Sequence, residues 1–187
     1  TDFIVVARCD RNKDPFSLNR KLQAMKSDYG QELESTIITS IYRSSKNQEY
    51  YDETQHWTSS SRFQVLWNLP HTEVMQKIAR ARVLVSTLPN ESFGITALEA
   101  LSCGVPVILF CNSKFEHASA EIPADNSHVI KLRNSCKPEE LEYAFIQLGN
   151  YDIEKRREIY NATQEKHSFV NWKNTLTNHL HTAINNN

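Results

Sequence analysis

A chain of 187 residues with 40% hydrophobic and 23% charged residues predicts one domain whose core needs no disulfide or metal staple. Lys+Arg 21 against Asp+Glu 22 leave a net charge of -1, which removes the electrostatic basis for coating nucleic acid or an anionic membrane. No apolar run approaches the ~20 residues of a membrane span, and the four glycines form neither a G-x-G-x-x-G nor a G-x-x-x-x-G-K-[ST] phosphate loop.

Strand-length apolar runs alternate with amphipathic stretches of helical length. Phe3–Ala7 is short, β-branched and apolar on both faces, as a buried parallel strand should be. Asp14-Pro15 reads as an N-cap followed by proline in the first turn, opening a helix over Phe16–Ser27 that ends near Gly30. Ser35–Tyr42 is the second strand, Lys46–Trp57 is polar and helical or irregular, and Phe63–Trp67 is the third strand. A helix over His71–Ala81 places Val74, Ile78 and Ala81 on one face. Val83–Val85, a helix over Ile95–Cys103, Val105–Phe110 and Val129–Leu132 follow. Three helices, near Pro138–Leu148, Asp152–Lys166 and Ser168–Ile184, close the chain as a helical tail. This alternation predicts an α/β class: a Rossmann-like, doubly wound parallel sheet of about six strands with flanking helices, residues 1–187 forming one domain.

Cys9, Cys103, Cys111 and Cys136 show no C-x-x-C spacing and read as buried thiols of a reducing compartment, which favours a cytoplasmic location. Asn90-Glu91-Ser92 and Asn161-Ala162-Thr163 match the glycosylation sequon, but a glycan on the first would obstruct the candidate site. A chain that begins with Thr1 is expected to be a fragment or a processed product.

In an open parallel sheet, ligands bind outside the carboxyl ends of the strands. The loop after Thr87 is the most informative of these. Gly94 allows a sharp turn close to a ligand, and the helix beginning at Ile95 presents N–H groups suited to a diphosphate. Glu91 precedes this seat and Glu99 lies a turn inside the helix. Carboxylates there do not attract phosphate; as acceptors they suit paired hydroxyls of a sugar or ribose. On the residues alone, an acid-capped helix after a solvated loop remains the alternative.

Glu91-Ser92-Phe93-Gly94-Ile95-Thr96-Ala97-Leu98-Glu99-Ala100, followed by Gly104-Val105-Pro106-Val107-Ile108, resembles the Glu-x7-Glu signature of family 4 retaining glycosyltransferases of the GT-B fold. The resemblance implies that Glu91 binds the donor sugar, that Glu99 binds the ribose, and that amides of the Phe93–Thr96 turn, including Gly94 and Ile95, meet phosphate and sugar. Arg8-x4-Lys13 is similar to the pair of cations this family directs at the diphosphate, with Ala7 and Asp14 where the family usually has glycine. The nucleobase is then expected beside Trp67-Asn68-Leu69-Pro70, with Trp67 available to stack and Leu69 in the loop. The Phe110–Glu116 loop lacks the family's glycines, and Phe169-Val170-Asn171-Trp172 resembles the aromatic patch of its last helix.

The resemblance covers Phe3 to about Ile184 and implies the carboxyl-terminal donor domain of a longer enzyme. A preceding domain, absent from this chain, would bind the acceptor. Arg8, Lys13 and Glu91 would serve transfer from a nucleoside-diphosphate sugar with retention of configuration. No cofactor is expected, and with no Asp-x-Asp present no metal either, the two cations replacing it. The expected partner is the nucleotide-sugar donor, without nucleic acid and without a transmembrane segment. The missing domain is the expected route to any cytosolic membrane face. Two other readings stay open: a non-catalytic glycosyltransferase-like binding or assembly domain, and a sugar-nucleotide epimerase or phosphorylase on the same fold.

Overall fold

The computed structural model describes residues 1–40, 45–54, 62–87, 94–111 and 127–167. Its strands are β1 Phe3–Val6, β2 Ser35–Thr39, β3 Phe63–Trp67, β4 Val83–Ser86, β5 Val107–Cys111 and β6 Val129–Arg133. Its helices are α1 Ser17–Gln23, α2 Asp28–Glu32, α3 Ser45–Thr54, α4 His71–Arg80, α5 Ile95–Ser102, α6 Pro138–Leu148 and α7 Ile153–His167. All strand pairs are parallel, in the order β3-β2-β1-β4-β5-β6. The expected doubly wound sheet is therefore present, and its order reverses between β1 and β4. The helix expected over Ser168–Ile184 lies outside the described residues.

Parallel strands buried on both faces divide their side chains between two core layers. Phe3 and Val5 enter one layer with Phe16, Leu22, Tyr50, Phe110 and Phe145, supplied in part by α1, α3 and α6. Ile4 and Leu84 enter the other with Val74 and Ile78 of α4, Ala97 and Leu101 of α5, and Ile159 of α7. Phe3, Phe16, Phe110 and Phe145 are fully buried, and removing each such ring from water contributes about 1.5–3 kcal/mol.

The helix expected over Phe16–Ser27 is two helices. Ser27 takes extended backbone (φ -70°, ψ 147°) and its Oγ accepts the Gly30 N–H at 2.9 Å, capping a new turn, so Gly30 lies inside α2 instead of ending α1. Arg62 fastens the break by donating to the Leu33 and Leu22 carbonyls and to that of Gly30. The expected Asp14 cap is also corrected: Phe16 precedes α1, Asp14 sits at φ 35°, and its carboxylate is engaged elsewhere. β1 and β2 end earlier than expected, at Val6 and Thr39. β5 starts later, because the Gly104 and Val105 N–H groups still satisfy the Leu101 and Ala100 carbonyls of α5 in a Schellman arrangement.

Gly104 takes φ 71° in that cap, and a Cβ there would lie 2.5 Å from the Arg156 carbonyl oxygen. This lets α7 press on the end of α5, and Arg156 reaches past it to the Ala79 and Ala81 carbonyls. Gly104→Ala is expected to lower stability by about 1–3 kcal/mol through the left-handed backbone alone, with more from the clash, read as a shift of the urea midpoint at unchanged slope.

Before β6, the His128 ring stands edge-on to Tyr151 at 5.7 Å between centroids, and burial lowers its basicity below the ordinary histidine value. The unfolded chain therefore binds a proton that the folded chain resists. The stability from neutral His128 is full above about pH 6.5 and is lost as pH falls through the lower folded value. His128→Gln should flatten the decline of melting temperature between about pH 6.5 and 5 relative to the parent.

Candidate functional site

The site is built at the reversal of strand order, from the loop after β1 and the start of α5. After Val6 the chain stays beside β2, with Ala7 N–H on the Ile38 carbonyl (3.1 Å) and Cys9 N–H on the Ser40 carbonyl (3.0 Å). Cys9 turns inward, where burial pushes its thiol up to about 11, so it is no nucleophile at neutral pH. Arg8 points outward and is exposed, its Nε 3.8 Å from the Asp10 carboxylate.

The loop then closes on itself. Asp10 accepts the Lys13 N–H through Oδ1 at 2.8 Å, and its carbonyl accepts the Asp14 N–H at 2.8 Å, a side-chain-assisted turn typical of aspartate. Asp14 adopts φ 35°, which costs a non-glycine residue about 1–2 kcal/mol. Its carboxylate accepts the Tyr50 hydroxyl at 2.7 Å and is paired with Arg20. Burial, then the bond to Asp14, holds the Tyr50 phenol protonated far above its usual range. The Lys13 carbonyl accepts the Thr87 hydroxyl at 2.8 Å, which ties the cationic loop to the end of β4.

On the other side, Gly94 in the left-handed region (φ 65°, ψ 34°) precedes α5. No side chain on Gly94 covers the first amides of the helix, while Ile95 is 61% exposed. Glu99 is three residues beyond Thr96 and so shares its face. Its Oε1 lies 2.7 Å from the His71 Nε2 at the start of α4. Glu91 and Phe93 lie outside the described residues, as does the loop after Cys111.

Between these parts lies a cavity of about 300 Å³ lined by Arg8, Thr39, Ser40, Asn68, Leu69 and Thr96, among others. The volume is at the small end of ligand sites. Asn68 takes φ 53° and its N–H bonds the Thr39 carbonyl at 2.9 Å, turning the β3–α4 loop over the opening. Arg8, Leu69 and Thr96, distant in sequence, are thus brought together. Trp67 is not among the lining residues; it packs edge-on against Tyr51 at 5.1 Å, against the opposite core layer. Lys13 is not among the lining residues either; its carbonyl is bonded by Thr87 at the end of β4.

Sequence reasoning missed Asp10, Tyr50, Thr87 and His71. The aspartate three residues before Lys13 was a readable turn signal. Tyr50 and His71 carry none, since their partners are 36 and 28 residues away.

The sequence profile described as "Glycosyl transferases group 1" matches residues 1–166. The chain belongs to this family. No protein of curated function matches it. Among solved structures, Anabaena HepE in complex with UDP superposes with TM-score 0.72 at 15% identity, over 97% of this chain and 49% of that one. An α,α-trehalose-phosphate synthase (UDP-forming) from Burkholderia vietnamiensis gives 0.71 at 14% identity, over 96% and 45%. TarM gives 0.68 at 17%, over 95% and 34%. At such identities the likeness establishes the shared fold, and this chain spans less than half the length of each relative.

In this group 1 glycosyltransferase chain, Asp14 holds a left-handed position without glycine, and its bonds to Tyr50 and Arg20 offset the strain. Asp14→Gly should therefore be less destabilising than Asp14→Ala by about 1 kcal/mol, since glycine removes the backbone cost and alanine keeps it. Tyr50→Phe should cost about 1.5–3 kcal/mol, the range for a bond to a charged group. Urea unfolding of the three variants checks the order.

Proposed function

We propose that this chain, taken over residues 1–187 as one domain, binds the nucleotide-sugar donor of a retaining glycosyltransferase that transfers sugar from a nucleoside diphosphate to an acceptor hydroxyl. The observation that carries the reading is the cavity at the strand-order reversal, where Arg8 and Thr96 of the first turn of α5 line the same space, with Glu99 one helical turn beyond Thr96. HepE, which shares the fold, is a complex with UDP, and the Burkholderia synthase is UDP-forming. A nucleoside diphosphate is accordingly the ligand class proposed here.

In this reading the diphosphate rests between Arg8, Lys13 and the amides of Gly94, Ile95 and Thr96. Glu99 accepts from the ribose hydroxyls and Glu91 from the sugar. The base lies beside Leu69 and Asn68, with Trp67 bracing Tyr51 behind that loop. As the glycosidic bond breaks, negative charge grows on the departing diphosphate. Two preplaced cations and a helix N-terminus lower the energy of that state more than of the intact donor. The incoming hydroxyl approaches on the same face as the leaving group, so configuration is retained without a protein nucleophile. The cations take the part that a metal ion plays in other transferases, and activity of the full-length parent should survive EDTA. The acceptor is bound by a further domain of the parent protein, in the cytoplasm. No helix among the described residues is long and apolar enough to cross a membrane.

The test is calorimetric titration of this chain with UDP, GDP and ADP. One of them should bind, with affinity falling at least tenfold in Glu99→Ala and in Arg8→Ala, as loss of a charged hydrogen-bond partner worth about 1.5–3 kcal/mol requires. No heat with any of the three would refute the proposal.

A further inference from the structure

His71 and Glu99 join α4 to α5, each one turn from a residue that lines the cavity. His71 is the first residue of α4, and Val74, one turn on and on the same face, lines the cavity. Glu99 lies one turn beyond the cavity-lining Thr96 on α5. The 2.7 Å contact between His71 Nε2 and Glu99 Oε1 therefore ties α4 to α5 beside the cavity. It needs a proton on Nε2, which both the neutral Nε2–H tautomer and the imidazolium supply. The pair is lopsided: the His71 side chain is 71% exposed and that of Glu99 only 25%. An exposed pair of this kind adds little to stability. What it does is remove a rotational choice. With Oε1 bonded by His71, the Glu99 carboxylate is biased to one orientation and Oε2 remains to accept from a ligand, with no protein bond to it among the described residues.

We propose that His71 is a positioning residue that makes the site selective for ribonucleotides, by holding the Glu99 carboxylate so that its second oxygen meets a ribose hydroxyl. The inference rests on the donor-binding reading above and extends it to a residue outside the glutamate motif. A fixed acceptor favours a ligand that carries the hydroxyl and leaves a deoxy analogue with an unanswered carboxylate. A freely rotating Glu99 can turn to water instead, and the difference between the two ligands shrinks.

The experiment is calorimetric titration of the chain and its His71→Ala and His71→Gln variants with UDP, GDP and ADP and with the 2′-deoxy and 3′-deoxy forms of whichever binds. Melting temperatures of all three proteins are measured alongside. The parent should prefer the ribonucleotide over at least one deoxy form by tenfold or more. His71→Ala should cut that ratio at least threefold, mainly through weaker ribonucleotide binding, at unchanged melting temperature. His71→Gln, which keeps a donor, should recover most of it. An unchanged ratio in His71→Ala overturns the inference while leaving donor binding intact. Tighter ribonucleotide binding in His71→Ala overturns it too, by showing that the imidazole competes for Glu99. Binding by the parent without discrimination removes the ribose role of Glu99, and absence of all nucleotide binding removes the underlying reading.

Discussion

The pairing of β1 with β4 is the constraint on which the site depends. β1 is hydrogen-bonded to β2 along all four residues, from Phe3↔Ser35 to Val6↔Ile38, but to β4 only at Phe3↔Val83 and Ile4↔Leu84. Beyond Leu84, β1 stays paired with β2 and β4 with β5, and the chains that follow them part. The chain after β1 drops Phe16 and Leu18 into one core layer, and the chain after β4 sends Ala97 and Leu101 into the other. A crevice is the unavoidable result of this divergence. The Thr87–Lys13 bond joins the end of β4 to the loop after β1. Position in the fold, more than any one side chain, brings Arg8 of the β1 loop to the same cavity as Thr96 of α5, distant in sequence.

Two glycines and one aspartate solve related problems around this crevice. Gly94 and Gly104 begin and end α5 in left-handed conformations, the first opening the helix toward the crevice and the second letting α7 seat against its far end. Asp14 takes the same kind of conformation in the cationic loop without being glycine. What it loses in backbone energy it regains through Tyr50 and Arg20, at the cost of tying that loop to α3 and α1. The loop after β1 is thus shaped by side-chain bonds where a glycine would rely on backbone freedom.

Much of this was legible from local pattern. The β-branched runs at Phe63 and Val129, the apolar stripe of Val74 and Ile78, and the Pro138 start all depend on neighbours in sequence, and all appear where the spacing placed them. The failures have two causes. The break at Ser27 is stabilised by Arg62, and Glu142 of α6 accepts from the Ser27 hydroxyl; Asp14 is drawn from its capping position by Tyr50; and β5 starts late because Gly104 and Val105 still belong to the end of α5. Long-range partners outweighed local propensity in the first two cases, and helix-cap chemistry in the third. In the site, Arg8, Glu99 and the Gly94 turn could be picked out by residue type and spacing. The cavity that unites Arg8, Leu69 and Thr96, and the reach of His71 to Glu99, exist only once the sheet order is known.

The central claim is that the crevice between the β1 loop and α5 is where a nucleoside diphosphate binds. Amide NMR of the labelled chain during titration with UDP, GDP and ADP tests this residue by residue. The result expected is a set of shifts confined to Arg8–Lys13, Asn68–Leu69 and Gly94–Glu99, with β6 and α6 unmoved. Shifts centred on the apolar groove beside Ile130, Leu132 and Tyr143, or no shifts with any of the three nucleotides, would contradict it.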